Sequence, residues 1–316
     1  MADATYQFGW HKFTLALPEP WEPGRIEGDD VKGYARIDDG FMPRLELKWD
    51  RAYGDDACDE AFRRYMKELT RAAGKGGAAQ ATRREPKEFD LGVRLPEGMR
   101  YRTVRWSAAV DCVAATVACS RCNRVAGLQI LFPEGQMQTS LARRILESFR
   151  DHPESPDAPA WWGIYKMRFQ TPVRWRLVAH RFGPGYAEMN FAGPGGVLAD
   201  FKRMGPAEVL LKKRDLVDWY LAQLPQHVKV PREAVERSEV RGDVVLAATR
   251  QPRGLAAFLR RRGKDEVARR ALCLQSVAWH CPRSNRLWAV EVYAPTLEAA
   301  REGQWQVFCH DEAVTP

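Results

Sequence analysis

The sequence predicts an α+β fold built as two tandem copies of an antiparallel sheet with helices on one face. Three observations predict it. The same signals recur in the same order in the two halves of the 316-residue chain. Within each half they read as strands, a helix, a meander of long strands and a closing helix, which is an antiparallel layer architecture. Between the halves, residues 151–160 (DHPESPDAPA) combine three prolines and three acids with no large apolar side chain, the composition of a linker. The expected division is residues 1–150 as a first repeat unit, 151–160 as linker and 161–316 as a second unit. Each unit is long enough to bury its own core.

The first unit opens with an alternating stretch at residues 10–17 and then Pro18-Glu19-Pro20-Trp21. The second opens with residues 165–170 and Pro172-Val173-Arg174-Trp175. Gly33-Tyr34-Ala35 and Gly185-Tyr186-Ala187 each begin a strand, followed by further strands at 44–49 and 197–202. Helices are expected at 58–72 and 210–224, sharing the Tyr-x-x-x-Leu of Tyr65/Leu69 and Tyr220/Leu224. Strand character in segments such as 101–106 rests on alternation and on β-branched and aromatic content. Next, Cys119-Ser-Arg121-Cys122-Asn123-Arg124 matches Cys281-Pro-Arg283-Ser-Asn285-Arg286 at four of six positions, each ahead of an apolar strand at 125–132 or 287–293. Both halves close on a helix, 138–149 and 296–306. The offset drifts only from 152 to 162 residues, as a duplication with small insertions requires.

This order resembles the PsbP-like fold, in which an N-terminal strand leads into a proline–tryptophan turn and the last helix reads much like Ile145-Leu-Glu-Ser-Phe149. The chain is also similar to uncharacterised archaeal tandem proteins that carry a Cys-x-x-Cys turn. The first resemblance covers about one unit at a time and implies a fold; neither implies a catalytic residue. Exported proteins of that fold carry targeting segments. Residues 1–10 have neither a basic n-region nor an apolar h-region, and no apolar run approaches the roughly 20 residues of a membrane span. A soluble, cytoplasmic protein is the expectation.

The composition, 45% hydrophobic and 28% charged with 11 Trp, is that of a globular chain and excludes a disordered one. The charge is unevenly spread. Residues 1–60 carry fourteen acids and seven bases, a sum of −7, whereas residues 241–290 carry eleven bases and three acids, a sum of +8. An acidic pole and a basic one speak to partners rather than to fold. Seven cysteines, an odd number at irregular spacing, argue against a disulfide framework and for thiols or a metal.

Cys119 and Cys122 are the best local candidates for chemistry, because two thiolates three positions apart on a tight turn can reach one tetrahedral zinc. Further ligands would come from His280-Cys281, at the equivalent turn of the second unit, or from Cys309-His310. Small core thiols are the competing reading, since Ser284 stands where the second turn cysteine would be. A redox pair is disfavoured: reactive Cys-x-x-Cys thiols begin helices, and these lie between strands. The glycines between 183 and 196 lack the ending of a phosphate loop and read as two turns around a strand.

No local catalytic motif is present, and adjacent strand residues such as Cys309 and His310 point to opposite faces. The basic cluster Arg260, Arg261, Arg262, Lys264, Arg269 and Arg270, with the turn arginines Arg283 and Arg286, suits phosphate contact. The leading expectation is a non-catalytic binding or adaptor protein that contacts RNA or a ribonucleoprotein. The alternatives are a protein–protein assembly factor and an enzyme with its site in the cleft between the units.

Overall fold

A computed structural model describes residues 4–74, 84–225, 228–240, 243–252, 272–309 and 312–314. Two compact units emerge, residues 1–154 with 161–166, and residues 155–160 with 167–316. Residues 161–166 thus go with the first unit, whereas the sequence places them in the second. The reason is a strand pairing described below.

In the first unit the order is β1 (Thr5–Trp10), β2 (Phe13–Pro18), β3 (Glu22–Gly28), β4 (Gly33–Asp38), β5 (Pro43–Arg51), α1 (Ala57–Gly74), β6 (Arg84–Glu88), β7 (Met99–Ser107), β8 (Val110–Cys119), β9 (Arg124–Pro133), α2 (Thr139–Ser148) and β10 (Ala160–Ile164). The second unit comprises β11 (Met167–Thr171), β12 (Arg176–Gly183), β13 (Tyr186–Ala192), β14 (Leu198–Met204), α3 (Ala207–Leu210), α4 (Leu216–Gln223), β15 (Glu236–Val240), β16 (Asp243–Arg250), β17 (Cys273–Cys281), β18 (Arg286–Ala294), α5 (Leu297–Glu302), β19 (Gln306–Cys309) and β20 (Glu312–Val314).

Each unit is dominated by a seven-stranded antiparallel sheet, β3-β4-β5-β9-β8-β7-β6 in one and β12-β13-β14-β18-β17-β16-β15 in the other. The two orders are the same. In both, the cysteine that ends the third strand from one edge faces the arginine that begins its neighbour, Cys119 opposite Arg124 and Cys281 opposite Arg286. The Gly-Tyr-Ala segments, by contrast, are out of step. Ala35 lies opposite Leu47 and Leu47 opposite Leu128, four residues past Arg124. Four residues past Arg286 is Val290, whose column runs through Phe201 to Met189, two residues beyond Ala187. An even displacement keeps the same side chains facing the core.

The helices do not share one face, as the sequence reading expects. In the first unit Phe62 and Leu69 of α1 pack with Cys112 and Ala114 of β8. Alternation along the strands puts Trp49, Leu47 and Val113 on the other side. There Phe13 lies 5.1 Å from Trp49 and 6.3 Å from Phe149, at the end of α2. The β1–β2 hairpin and α2 therefore cover the face opposite α1. The second unit repeats this: Trp219 and Tyr220 of α4 pack with Leu274 and Ala278, while Phe169 of β11 stacks at 4.3 Å on Phe201.

Residues 10–17, read from the sequence as one stretch, contain a turn. His11 and Lys12 both have positive φ (46° and 74°), the geometry of a tight hairpin turn usually given to Asn-Gly, so a His-Lys pair hides it. Tyr165 and Lys166 have the same geometry between β10 and β11 (φ 46° and 60°). β10 pairs with β1 through Gly9 and Gly163, which is what assigns it to the first unit. The helix expected at 210–224 is split into α3 and α4. Asp215, in extended conformation, caps α4 by accepting from the Asp218 N–H at 2.8 Å, after a Lys212-Lys213-Arg214 turn with no apolar side chain to bury.

Candidate metal centre

α2 buries Leu141, Ala142, Ile145 and Leu146, a helical stripe, and stops at Phe149, which is extended. The chain then pairs once with β2: the Thr14 N–H donates to the Arg150 carbonyl and the Arg150 N–H donates to the Thr14 carbonyl, each at 2.8 Å. A second tie runs from the Ala16 N–H to Ser148 Oγ, 2.8 Å. Asp151 and His152 are thereby brought to the end of β8, where the turn Ser120–Asn123 leads into β9. That turn is fixed by Asn123 in the left-handed region (φ 53°) and by the Ser120 N–H and hydroxyl, both donating to the Gly98 carbonyl. Arg51 Nη1 donates to the Cys122 carbonyl at 3.1 Å.

Three ligand atoms converge here. The thiols of Cys119 and Cys122 and an imidazole nitrogen of His152 all lie within 4.8 Å of one another, and the group could hold a metal ion. Cys119 is buried, the other two partly so. The His152 Nδ1 is 2.7 Å from the Pro153 carbonyl. A carbonyl oxygen only accepts, so Nδ1 carries the proton and Nε2 keeps the lone pair, as in metal sites whose histidine is held by a backbone oxygen. Atoms bound to one zinc sit about 2.0–2.3 Å from it, so donors this close need only small side-chain rotations.

Asp151 completes the surroundings. Its Oδ2 accepts from the Cys122 thiol, and its Oδ1 accepts from Arg124 Nη1 at 3.0 Å, a pair buried on both sides. Arg124 also donates to the carbonyls of Asp151 (2.9 Å), His11 (3.3 Å) and Asp30 (3.0 Å). Burial, and then the Asp151 carboxylate, push the Cys122 thiol well above its ordinary range. That is the opposite of an activated redox cysteine. It is a thiol held in its protonated form.

Asp151 and His152 are the residues of this corner that sequence reasoning misses, because they sit inside the segment read as linker. The available signal is the pair Cys309-His310, which follows the last helix of the second half as Asp151-His152 follows that of the first. Of the other expected ligands, Cys281 and Cys309 are buried, and their thiols are hydrogen-bonded to each other. His280 precedes Cys281 on β17, so its side chain points to the other face of the sheet and away from the thiol. His310 lies outside the described residues, as do Arg260, Arg261, Arg262, Lys264, Arg269 and Arg270. Arg283 is exposed. Arg286 is half-buried, its Nη1 donating to the Asn285 carbonyl at 3.1 Å and its Nε buried without a hydrogen-bond partner among the described residues.

Two further polar groupings have no signal in the sequence. The first unit has a cleft of about 660 Å³ lined by Tyr34, Lys48, Trp49, Arg64, Tyr65 and Gln129. Beside it runs a chain of hydrogen bonds from Tyr34 through Glu46, Gln129 and Tyr65 to Trp106. In the second unit Lys202 is buried against Glu291, which also accepts from the Tyr293 hydroxyl at 2.6 Å. Burial would strip the Lys202 proton, but Glu291 and then Asp200 outweigh it and hold the ammonium charged.

No family model matches the chain, and no curated protein does. Among solved structures it is similar to the solution structure of cyanobacterial PsbP (CyanoP) from Synechocystis, at 13% identity over 48% of this chain and 94% of that one, with a TM-score of 0.35. The likeness is a weak one of fold. Among the described residues no helix is long and apolar enough to cross a membrane.

The buried Arg124–Asp151 pair should be the main support of this corner. Asp151→Asn leaves an uncompensated buried guanidinium and is expected to cost about 3–5 kcal/mol in denaturant unfolding, as is Arg124→Met. Replacing both by Met and Leu should recover a large part of that loss. Additive losses would mean that the two groups do not act as a pair.

Proposed function

We propose that this chain is a non-catalytic binding protein of two duplicated units, the first of them closed by a structural zinc ion at Cys119, Cys122 and His152. The observation that carries the reading is the convergence of two sulfurs and one nitrogen within 4.8 Å on a turn between strands. Two thiolates and an imidazole are a donor set that selects zinc over harder cations. The fourth position falls to the Asp151 carboxylate beside Cys122, which closes the site. Duplication is supported by the two identical strand orders and by the paired left-handed asparagines, Asn123 and Asn285.

Zinc bound there joins the end of β8 to the segment after α2, two stretches 30 residues apart between Cys122 and His152. Its binding energy becomes folding energy, because the donors are assembled only in the folded chain. Bound zinc should survive purification without added metal, and Cys119→Ser with Cys122→Ser should remove one equivalent. Less than about a tenth of an equivalent in the wild type would sink the zinc reading.

The partner is acidic, with RNA first, on the strength of the +8 excess in residues 241–290. Arginine dominates that excess, and its planar fork suits bidentate phosphate contact. Changing Arg260, Arg261, Arg262 and Arg270 to glutamine should weaken RNA binding and flatten its dependence on salt, since fewer counterions are released. Equal binding by wild type and variant, or none by either, would leave a protein–protein assembly role in its place.

A further inference from the structure

The second unit contains the same corner with its cysteines rearranged. Cys281 ends β17 opposite Arg286, as Cys119 ends β8 opposite Arg124. Ser284 precedes Asn285 (φ 52°) as Cys122 precedes Asn123 (φ 53°), so the serine holds the place of the turn cysteine. The third position follows from strand register. Phe13 and Met167 each come directly after a turn whose two residues have positive φ. Thr14 is bridged to Arg150, which places Asp151 beside Phe13. Phe169 is paired with Val307, and stepping back two residues places Cys309 beside Met167. Cys309 therefore stands where the first unit has Asp151.

The contacts agree with this correspondence. In the first unit Asp151, three residues past the end of α2, touches the turn thiol of Cys122. In the second, Cys309 Sγ is 4.0 Å from the turn hydroxyl of Ser284 and hydrogen-bonded to the Cys281 thiol. One thiol has left the turn and another has appeared across from it, so each corner keeps two. The exchange has a cost. With no carboxylate at 309, Arg286 makes no ion pair among the described residues, and its Nε is buried without a hydrogen bond among them. A residue needed only to fill space would not require sulfur at either position, and the aspartate would have kept its ion pair. Two sulfurs in contact are what a soft divalent cation binds.

We infer that the second unit carries its own zinc site, with Cys281 and Cys309 as its thiolate ligands. The inference extends the reading of the first unit and rests on it for the choice of metal. On binding, each thiol releases its proton to solvent and the two sulfurs join the cation; no oxidant is consumed.

The test is the metal content of the full-length protein purified without added metal, compared with Cys119→Ser/Cys122→Ser and Cys281→Ser/Cys309→Ser. The wild type should hold about two equivalents of zinc and each double variant about one. A wild type with one equivalent, kept by Cys281→Ser/Cys309→Ser and lost by the other variant, overturns the second site and leaves the first standing. One equivalent lost only by Cys281→Ser/Cys309→Ser does the reverse. Because either double variant can fail to fold, Ser284→Cys gives an independent reading: a third thiol beside Cys309 should slow the release of the second equivalent to a chelator. Release at the wild-type rate from a folded Ser284→Cys protein counts against the site. An intact mass two hydrogens lighter, mapped to a Cys281–Cys309 disulfide in protein isolated with thiols protected, would also overturn it.

Discussion

One buried ion pair organises the first unit. Arg124 begins β9 and reaches with two terminal nitrogens to four oxygens on three separate stretches of chain, namely Asp151, the His11 turn and the Asp30 loop. A guanidinium out of water is tolerable only if its charge is met and its donors find acceptors; here Asp151 meets the charge and both terminal nitrogens are bonded. The same contact fixes where the chain goes after α2. Asp151 is drawn to Arg124, and His152, the next residue, is carried to the two thiols. The convergence of the two thiols and the imidazole is thus a consequence of how a buried charge is satisfied.

The second unit has a comparable frame with a cysteine where the first has this acid. Its sheet has the same strand order, its turn the same left-handed asparagine, and its corner the same arginine. With Cys309 in the place of Asp151, Arg286 falls back on the Asn285 carbonyl. Burial, and then the neighbouring Cys281 thiol, push Cys309 up to about 12. The main buried charge of this unit lies elsewhere, at Lys202 and Glu291 beneath α4. Sheets of the same strand order therefore carry their polar interiors in different places.

Much of the fold was legible because sheet strands of nine or ten residues, such as β8 and β18, bury one or both faces and so write long apolar or alternating runs. The turns at His11-Lys12 and Tyr165-Lys166 were not, since neither uses the residues that ordinarily mark positive φ. The placement of α1 and α2 on opposite faces was not legible either, because periodicity says that a helix has a buried side and not which layer buries it. At the site, the Cys-x-x-Cys turn was visible as a local pattern. His152 was hidden by composition: prolines and acids around it mask a residue that one bridge to Thr14 and one salt bridge hold in place.

Two sulfurs and one imidazole converge at this corner of the first unit and are proposed to bind a metal. Zinc-edge X-ray absorption of the Cys281→Ser/Cys309→Ser protein isolates that corner and reads its ligands directly. The expected spectrum has about two sulfur neighbours near 2.3 Å and a nitrogen or oxygen shell near 2.0–2.1 Å with imidazole scattering. A zinc surrounded by nitrogen and oxygen alone would contradict it.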